Sequence, residues 1–336
     1  MILLNKVVKA YIDTEEQANK PIWKRMFLPK SKKNVIKELS FAVNQGEIVG
    51  YIGENGAGKS TTIKMILGII PSDSGDISVF GKNPFTNRKE NAQRIGVLFG
   101  QKSHLWWDLP LIDSFKFLQK IYSKNTKEDD EWIEWLMKEL EVVDYANEPV
   151  RELSLGQRMR GEFICAMLHS PELVILDEPT IGLDVKTKQK IMEIILKVNQ
   201  SKGTTFLITS HDFLEIEKVS HKIILLNDGK NAYQGSVCNY KEEYIYLRKV
   251  VLHDTVDADI SIEGLKLFTQ NVSSLEYYFD VREISEEDVL HQIKKARQDL
   301  QIEVSFLTFS EIMIIKGKEI KNESYNDLRL LSIQGE

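Results

Sequence analysis

Two short stretches of this sequence carry residue types whose order implies chemistry. The first is GENGAGKS, residues 53–60, where Gly53 and four further residues lead to Gly58, Lys59 and Ser60. Glycines let backbone N–H groups, Asn55 and Gly56 among them, curl around phosphates, and a helix starting there adds its positive end. Lys59 then reaches the β and γ phosphates, and Ser60 ligates Mg²⁺. The second stretch is LVILDEP, residues 173–179, where an apolar strand delivers Asp177 and Glu178 at its C-terminal end. Open α/β sheets bind ligands at that end. Asp177 there would hold Mg²⁺ through water. Glu178 would orient and polarise an attacking water, since phosphoryl transfer needs mainly positioning and charge stabilisation.

Elements must place these groups. EIVGYIG reads as a buried strand running into the glycine loop, preceded by a half-buried strand with Leu39, Phe41 and Val43 alternating. After the loop, Ile63, Ile66, Leu67 and Ile70 form a helical stripe that Pro71 and Gly75 close. A helical subdomain is predicted over about 103–170, with Asp113 capping a helix through Tyr122 and with Trp132, Leu136, Leu140 and Val143 lining the next. LVIL, TTFLITS and KIILL, with a helix near 185–201 between the first two, show the alternation of a parallel α/β sheet, and Asp228-Gly229 reads as a hairpin. From about 245 to 336 the rhythm changes to that of a small α+β domain. It has strand-like runs around a helix capped by Ser285 and carrying Val289, Ile293, Ala296 and Leu300.

Further motifs give the chain a family resemblance. Gln101 in VLFGQKSHLWW, LSLGQ at 153–157, IGLD ending at Asp184 and His211 in LITSHD stand in this order around the carboxylates. The chain resembles an ATP-binding cassette (ABC) ATPase, the cytoplasmic subunit of a transporter, over roughly residues 3–240. The resemblance implies a P-loop NTPase cassette: a parallel sheet core with an antiparallel β subdomain and a helical subdomain, followed here by the small C-terminal α+β domain. It implies two cassettes head to tail, a homodimer or a pair with a paralogous cassette. Each ATP would lie between Gly53, Asn55, Gly56, Gly58, Lys59, Ser60 and Thr61 of one copy and Ser154, Gly156 and Gln157 of the other. Gln101 would contact Mg²⁺ and the attacking water, His211 the γ-phosphate, and Asp184 would couple the two sites. Tyr11 is the expected adenine-stacking residue. Leu155 departs from the glycine of the commonest signature, while Ser154 and Gly156 remain.

Composition narrows the readings. With 42% hydrophobic and 28% charged residues the 336-residue chain is neither fibrous nor disordered, and its apolar runs fall far short of a bilayer span. Cys165 and Cys238 are too few and too far apart for a disulfide scaffold or zinc site, which fits a reducing cytoplasm. The net charge of −6 comes from residues 246–336, with 11 Lys and Arg against 17 Asp and Glu, so the larger part is neutral and no nucleic-acid partner is expected. That part nevertheless holds a basic insertion, about 17–37, with apolar residues interleaved, a mixture suited to anionic lipid headgroups or to a solvated loop. Trp106, Trp107 and Leu109 fall where cassettes receive a permease's coupling helix, or else pack the helical subdomain. FGQKSHLWWDLP, TIGLD and the basic insertion resemble the drug, sodium and antibiotic efflux branch. The expectation is an ATP-hydrolysing subunit that powers a polytopic membrane permease, an exporter, from the inner face of the cell membrane. The C-terminal domain would be accessory or regulatory. The alternative is a soluble cassette acting on ribosomes or nucleic acid.

Overall fold

Apolar runs too continuous to leave a wet face become parallel strands buried on both sides. They are β3 (Ile48–Gly53), β5 (Ile95–Phe99), β6 (Leu173–Asp177), β7 (Thr205–Ser210) and β8 (Lys222–Asn227). The computed structural model describes residues 1–12, 32–100, 103–122, 127–210, 213–253, 262, 264–270, 274–297, 300–307, 311, 312 and 315. It falls into two units, Met1–Gly235 and Ser236–Glu336.

In the first unit the parallel strands and β9 (Lys230–Ser236) form one sheet in the order β5-β6-β7-β3-β8-β9. β9 returns beside β8 through Asp228 and Gly229, both at positive φ (44° and 77°), the two-residue turn expected of that pair. A second, antiparallel sheet, in the order β2-β1-β4, contains β1 (Ile2–Ile12), β2 (Lys32–Val43) and β4 (Ser74–Val79). Leu39, Phe41 and Val43 point into a core shared with Val49, Tyr51, Ile63 and Ile66, so both sheets pack with the helix that follows the glycine loop. Of the predicted basic insertion, 17–31 lies outside the described residues, whereas 32–37 is the start of β2 rather than a loop.

That helix, α1 (Lys59–Ile66), is a turn shorter than its apolar stripe predicts. Gly68 ends it at φ 66°, where a Cβ would lie 2.1 Å from the Pro84 carbonyl oxygen; Leu67 and Ile70 pack on the core from beyond the helix. α2 (Arg88–Ala92) leads into β5, and the helical region holds α3 (Leu111–Tyr122), α4 (Lys127–Glu139) and α5 (Leu155–Met167). Asp113 stands in the first turn of α3 instead of at its cap. Trp132, Leu136 and Leu140 are buried, but Val143 is exposed, because the chain reverses at Glu141 (φ 53°) and leaves the helical face before reaching it. α6 (Val185–Lys202) and α7 (Phe213–Val219) complete the unit.

The second unit begins with α8 (Val237–Tyr244). It holds an antiparallel sheet of β10 (Leu247–His253), β11 (Lys266–Gln270), β12 (Ser274–Asp280) and β13 (Gln301–Phe306), in the order β11-β12-β10-β13. α9 (Glu286–Ala296) starts at Ser285, whose Oγ accepts from Asp288 N–H, and sets Val289 and Ile293 on Val250, Leu252, Tyr277 and Phe279. Ala296 ends the helix exposed, and Leu300 joins the core from beyond it. No helix among the described residues is long and apolar enough to cross a membrane.

Candidate functional site

Parallel pairing sets the C-terminal ends of β3, β6 and β7 side by side, with Ile52 opposite Ser210 and Asp177 opposite Thr209. The loop after Gly53 turns through Gly56 (φ 83°) and Gly58 (φ 108°) into α1. A side chain at Gly58 would be strained by that φ, and a Cβ would also crowd the Val35 carbonyl oxygen at 3.1 Å. No side chain caps α1, so its first-turn N–H groups and positive end are left for an anion. Asn55 and Ser60 are exposed on this loop and Thr61 is half-buried.

Lys59 is only 7% exposed. Its Nζ donates to the carbonyls of Gly53 (2.5 Å) and Glu54 (3.4 Å) and stands 3.8 Å from Glu178 Oε1. Burial pushes its pKa down, while Glu178 and Asp177 pull it back. The ammonium is thus held at the mouth of the loop by two carbonyls and one carboxylate oxygen.

One residue missed by sequence reasoning organises the carboxylates. Thr209, fully buried, donates its hydroxyl to Asp177 Oδ1 (2.7 Å). The Thr209 hydroxyl oxygen in turn accepts from the Glu178 N–H (3.0 Å), as does the Thr209 carbonyl (3.2 Å). Glu178 needs this support because its φ of 55° is a left-handed conformation costly for a residue with a Cβ. Glu215 was missed too. It accepts from Thr180 Oγ1 and from Lys188 Nζ (2.5 Å), tying the turn after Glu178 to α6 and α7. The donors suit Mg²⁺: Ser60 offers a hydroxyl and Asp177 a carboxylate with one oxygen steadied by Thr209, hard oxygen ligands both.

The signature residues form a second cluster. Ser154 caps α5, its Oγ accepting from Gln157 N–H (3.2 Å) while Gln157 Oε1 accepts from Ser154 N–H (2.8 Å), a complete capping box. Gly156 abuts α6: a Cβ there would lie 3.1 Å from Thr187 Oγ1 and 3.5 Å from Asp184 Oδ2. Asp184 caps α6 by accepting from Thr187 N–H (3.0 Å) and Oγ1 (2.7 Å), bonds that hold its carboxyl below the usual range. Leu155 is 47% exposed, beside Gly182.

The structure therefore brings Lys59, Asp177 and Glu178 together, and separately Ser154, Gly156, Gln157 and Asp184. Tyr11 lies on β1, 41% exposed, its ring centre 5.9 Å from the Lys9 ammonium. Gln101 and His211 lie outside the described residues. Trp106 and Trp107 are 37% and 53% exposed, with Trp106 edge-on to Phe117 at 4.5 Å, so these rings are surface rather than core.

Comparison with known proteins agrees with this geometry. The family described as ABC transporter matches residues 36–181. The ABC transporter ATP-binding protein NatA of Bacillus subtilis is 32% identical over 230 residues, 66% of this chain and 93% of NatA. The linearmycin resistance ATP-binding protein LnrL of the same organism is 34% identical over 202 residues, 59% of this chain and 63% of LnrL. ATP-binding proteins of zinc uptake and manganese transport systems match as well. Among solved structures, a dimeric ATP-binding cassette in a post-hydrolysis state with ADP and Pi shares the fold (TM-score 0.59, 24% identity, 70% of this chain and 99% of that one). The chain belongs to the ABC transporter family, as one of its ATP-binding, ATP-hydrolysing cassettes.

Proposed function

We propose that this cassette powers a membrane exporter by closing on ATP against a second cassette. Gly53, Asn55, Gly56, Gly58, Lys59, Ser60 and Thr61 wrap the phosphates, and Tyr11 stacks on the adenine. Ser60, Asp177 and Gln101 hold Mg²⁺, which when bound neutralises charge on the β and γ phosphates. Glu178 orients and polarises the attacking water. His211 donates toward the γ-phosphate. Ser154, Gly156 and Gln157 of the second copy close the site, and Asp184 couples the two sites across the interface. Binding and release then drive a two-state switch. Trp106, Trp107 and Leu109 receive a cytoplasmic helix of the permease, which holds the cassette at the inner face of the membrane. The acidic C-terminal unit is accessory or regulatory. The efflux-like pattern of FGQKSHLWWDLP and TIGLD favours export.

The observation that carries this reading is the 3.8 Å approach of Lys59 Nζ to Glu178 Oε1, which joins the phosphate loop to the carboxylate strand in one site. Purification of the chain from detergent-solubilised cells tests it. Capture of a polytopic membrane protein supports the reading; co-sedimentation with ribosomes and no membrane partner would sink it.

A further inference from the structure

Glu162 lies on α5, the helix that begins at the signature serine, and is 7% exposed. A carboxylate so buried is costly unless donors surround it. Here the donors come from one short segment: Ser103 Oγ and the His104 N–H, which lies 3.0 Å from each oxygen, with His104 Nδ1 3.1 Å from Oε2. One turn earlier on the same helical face, the Arg158 guanidinium lies 5.0 Å from the centre of the Trp107 ring. Between them, Gly161 admits the neighbouring leucines: a Cβ there would lie 2.8 Å from Leu111 Cδ1 and 3.4 Å from Leu105 Cδ1. Beyond Leu105, the Trp106 N–H donates to Ser114 Oγ (3.1 Å). The segment 103–107 is thus fastened to α5 at Glu162, Gly161 and Arg158, and its outer side carries the exposed tryptophans.

We propose that Glu162 is a positioning residue that makes the Ser103–Trp107 segment and α5 one mechanical body, so that a helix docked on Trp106 and Trp107 moves the signature serine. Ser154 lies about 12 Å along the same helix, a distance a rigid rod transmits without loss. The proposal rests on the transporter reading, in which Ser154 serves the second copy's ATP. It assigns to Glu162 the response of hydrolysis to the permease, and no part in the chemistry itself. A buried carboxylate also suits that part because its bonds are directional: Ser103 and His104 cannot slide along α5 without abandoning it.

The test uses the full chain, alone and in complex with its co-purified membrane partner. In Glu162→Ala, the stimulation of ATPase by the partner should fall about tenfold, while the rate of the cassette alone and its KM for ATP stay within about twofold. Glu162→Gln should fall between, because its single carbonyl still accepts the His104 N–H. Equal stimulation in Glu162→Ala and the unmodified chain overturns the proposal. An equal loss with and without the partner also overturns it, since that is the mark of a merely structural role. Should Glu162→Ala not fold, Ser103→Ala removes one donor and is expected to lose stimulation in part; a folded Ser103→Ala and Glu162→Gln that are both fully stimulated overturn the idea. Failure of any membrane protein to co-purify overturns the transporter reading together with this one, and so is told apart from a failure of Glu162 alone.

Discussion

The phosphate-loop side and the signature side of this cassette are built on opposite principles. Around Lys59 the backbone and side chains are strained or desolvated: α1 has no side-chain cap, Glu178 sits at φ 55°, and the lysine is buried among carbonyls and carboxylates. Around Ser154 the groups satisfy one another, through a closed capping box and an Asp184 already bonded to Thr187. Strained and desolvated groups gain most from a ligand, so in the proposed function the first side would capture nucleotide in a single chain. Groups already paired gain little, so in the proposed function the second side would add affinity only when a second copy brings its nucleotide to it.

The difference breaks most readily at Glu178. Glu178→Gln should lower kcat about a thousandfold, in the range of a general-base loss, with ATP affinity within about threefold. Phosphate release and equilibrium binding measure the two, and the variant should accumulate as an ATP-bound dimer. A kcat within about tenfold of the unmodified chain removes Glu178 from the chemistry.

Lys59 gives the next effect. Its pKa is depressed by burial, and a bound phosphate would favour the charged form. ATP affinity should therefore hold below the depressed pKa and fall as pH rises through it, earlier than the ordinary lysine value of 10.5 would dictate. The charged lysine costs the free protein stability below that pKa, and the cost is relieved as pH rises toward 10.5. Lys59→Gln should weaken ATP binding about a hundredfold and abolish the pH slope, which titration calorimetry from neutral to alkaline pH checks directly. A slope that survives in the variant belongs to another group.

How much of this was legible depended on whether the relevant residues are neighbours in sequence. The phosphate loop and the Asp177-Glu178 pair are contiguous motifs, and strand and helix follow them as the chemistry requires. Asp228-Gly229 was equally plain, since positive φ at two successive positions leaves few residue choices. Thr209 was not legible, because it reaches Asp177 only through the register of β6 and β7, which no local pattern encodes. Glu162 was hidden for the same reason, its partners Ser103 and His104 lying on another segment. Val143 misled because apolar spacing continued past the end of α4, and spacing does not register a reversal at Glu141. Trp132 is buried as its helical spacing implies and stacks on Trp135 at 5.0 Å, whereas Trp106 and Trp107, for which sequence left both surface and core open, are exposed.

A smaller effect should come from Thr209. Thr209→Val keeps the shape and removes the hydroxyl, so Asp177 Oδ1 and Glu178 N–H each lose a bond. Turnover should fall about tenfold to thirtyfold with KM for ATP little changed, because the loss misplaces Glu178 without touching the loop that holds the phosphates. Thr209→Ser should recover most of it. Recovery by serine and not by valine separates the hydroxyl's bonds from β-strand packing.

The smallest effect should come from Leu155, and it sharpens the contrast most. The side chain is 47% exposed at the first helical position after Ser154, and its nearby neighbour is the backbone at Gly182. Leu155→Gly restores the commonest signature residue, removes little buried area and costs at most about 1 kcal/mol of helix stability, which a thermal melt reads. Since Ser154 and Gln157 keep their mutual bonds whatever stands between them, turnover should change by no more than about threefold. A much larger rise would mean that the leucine obstructs the approach of the second copy, and that this side is gated by shape as well as by its internal pairing. No change in rate, with a lower melting temperature, would leave the capping box as the feature that sets how the signature waits for its partner.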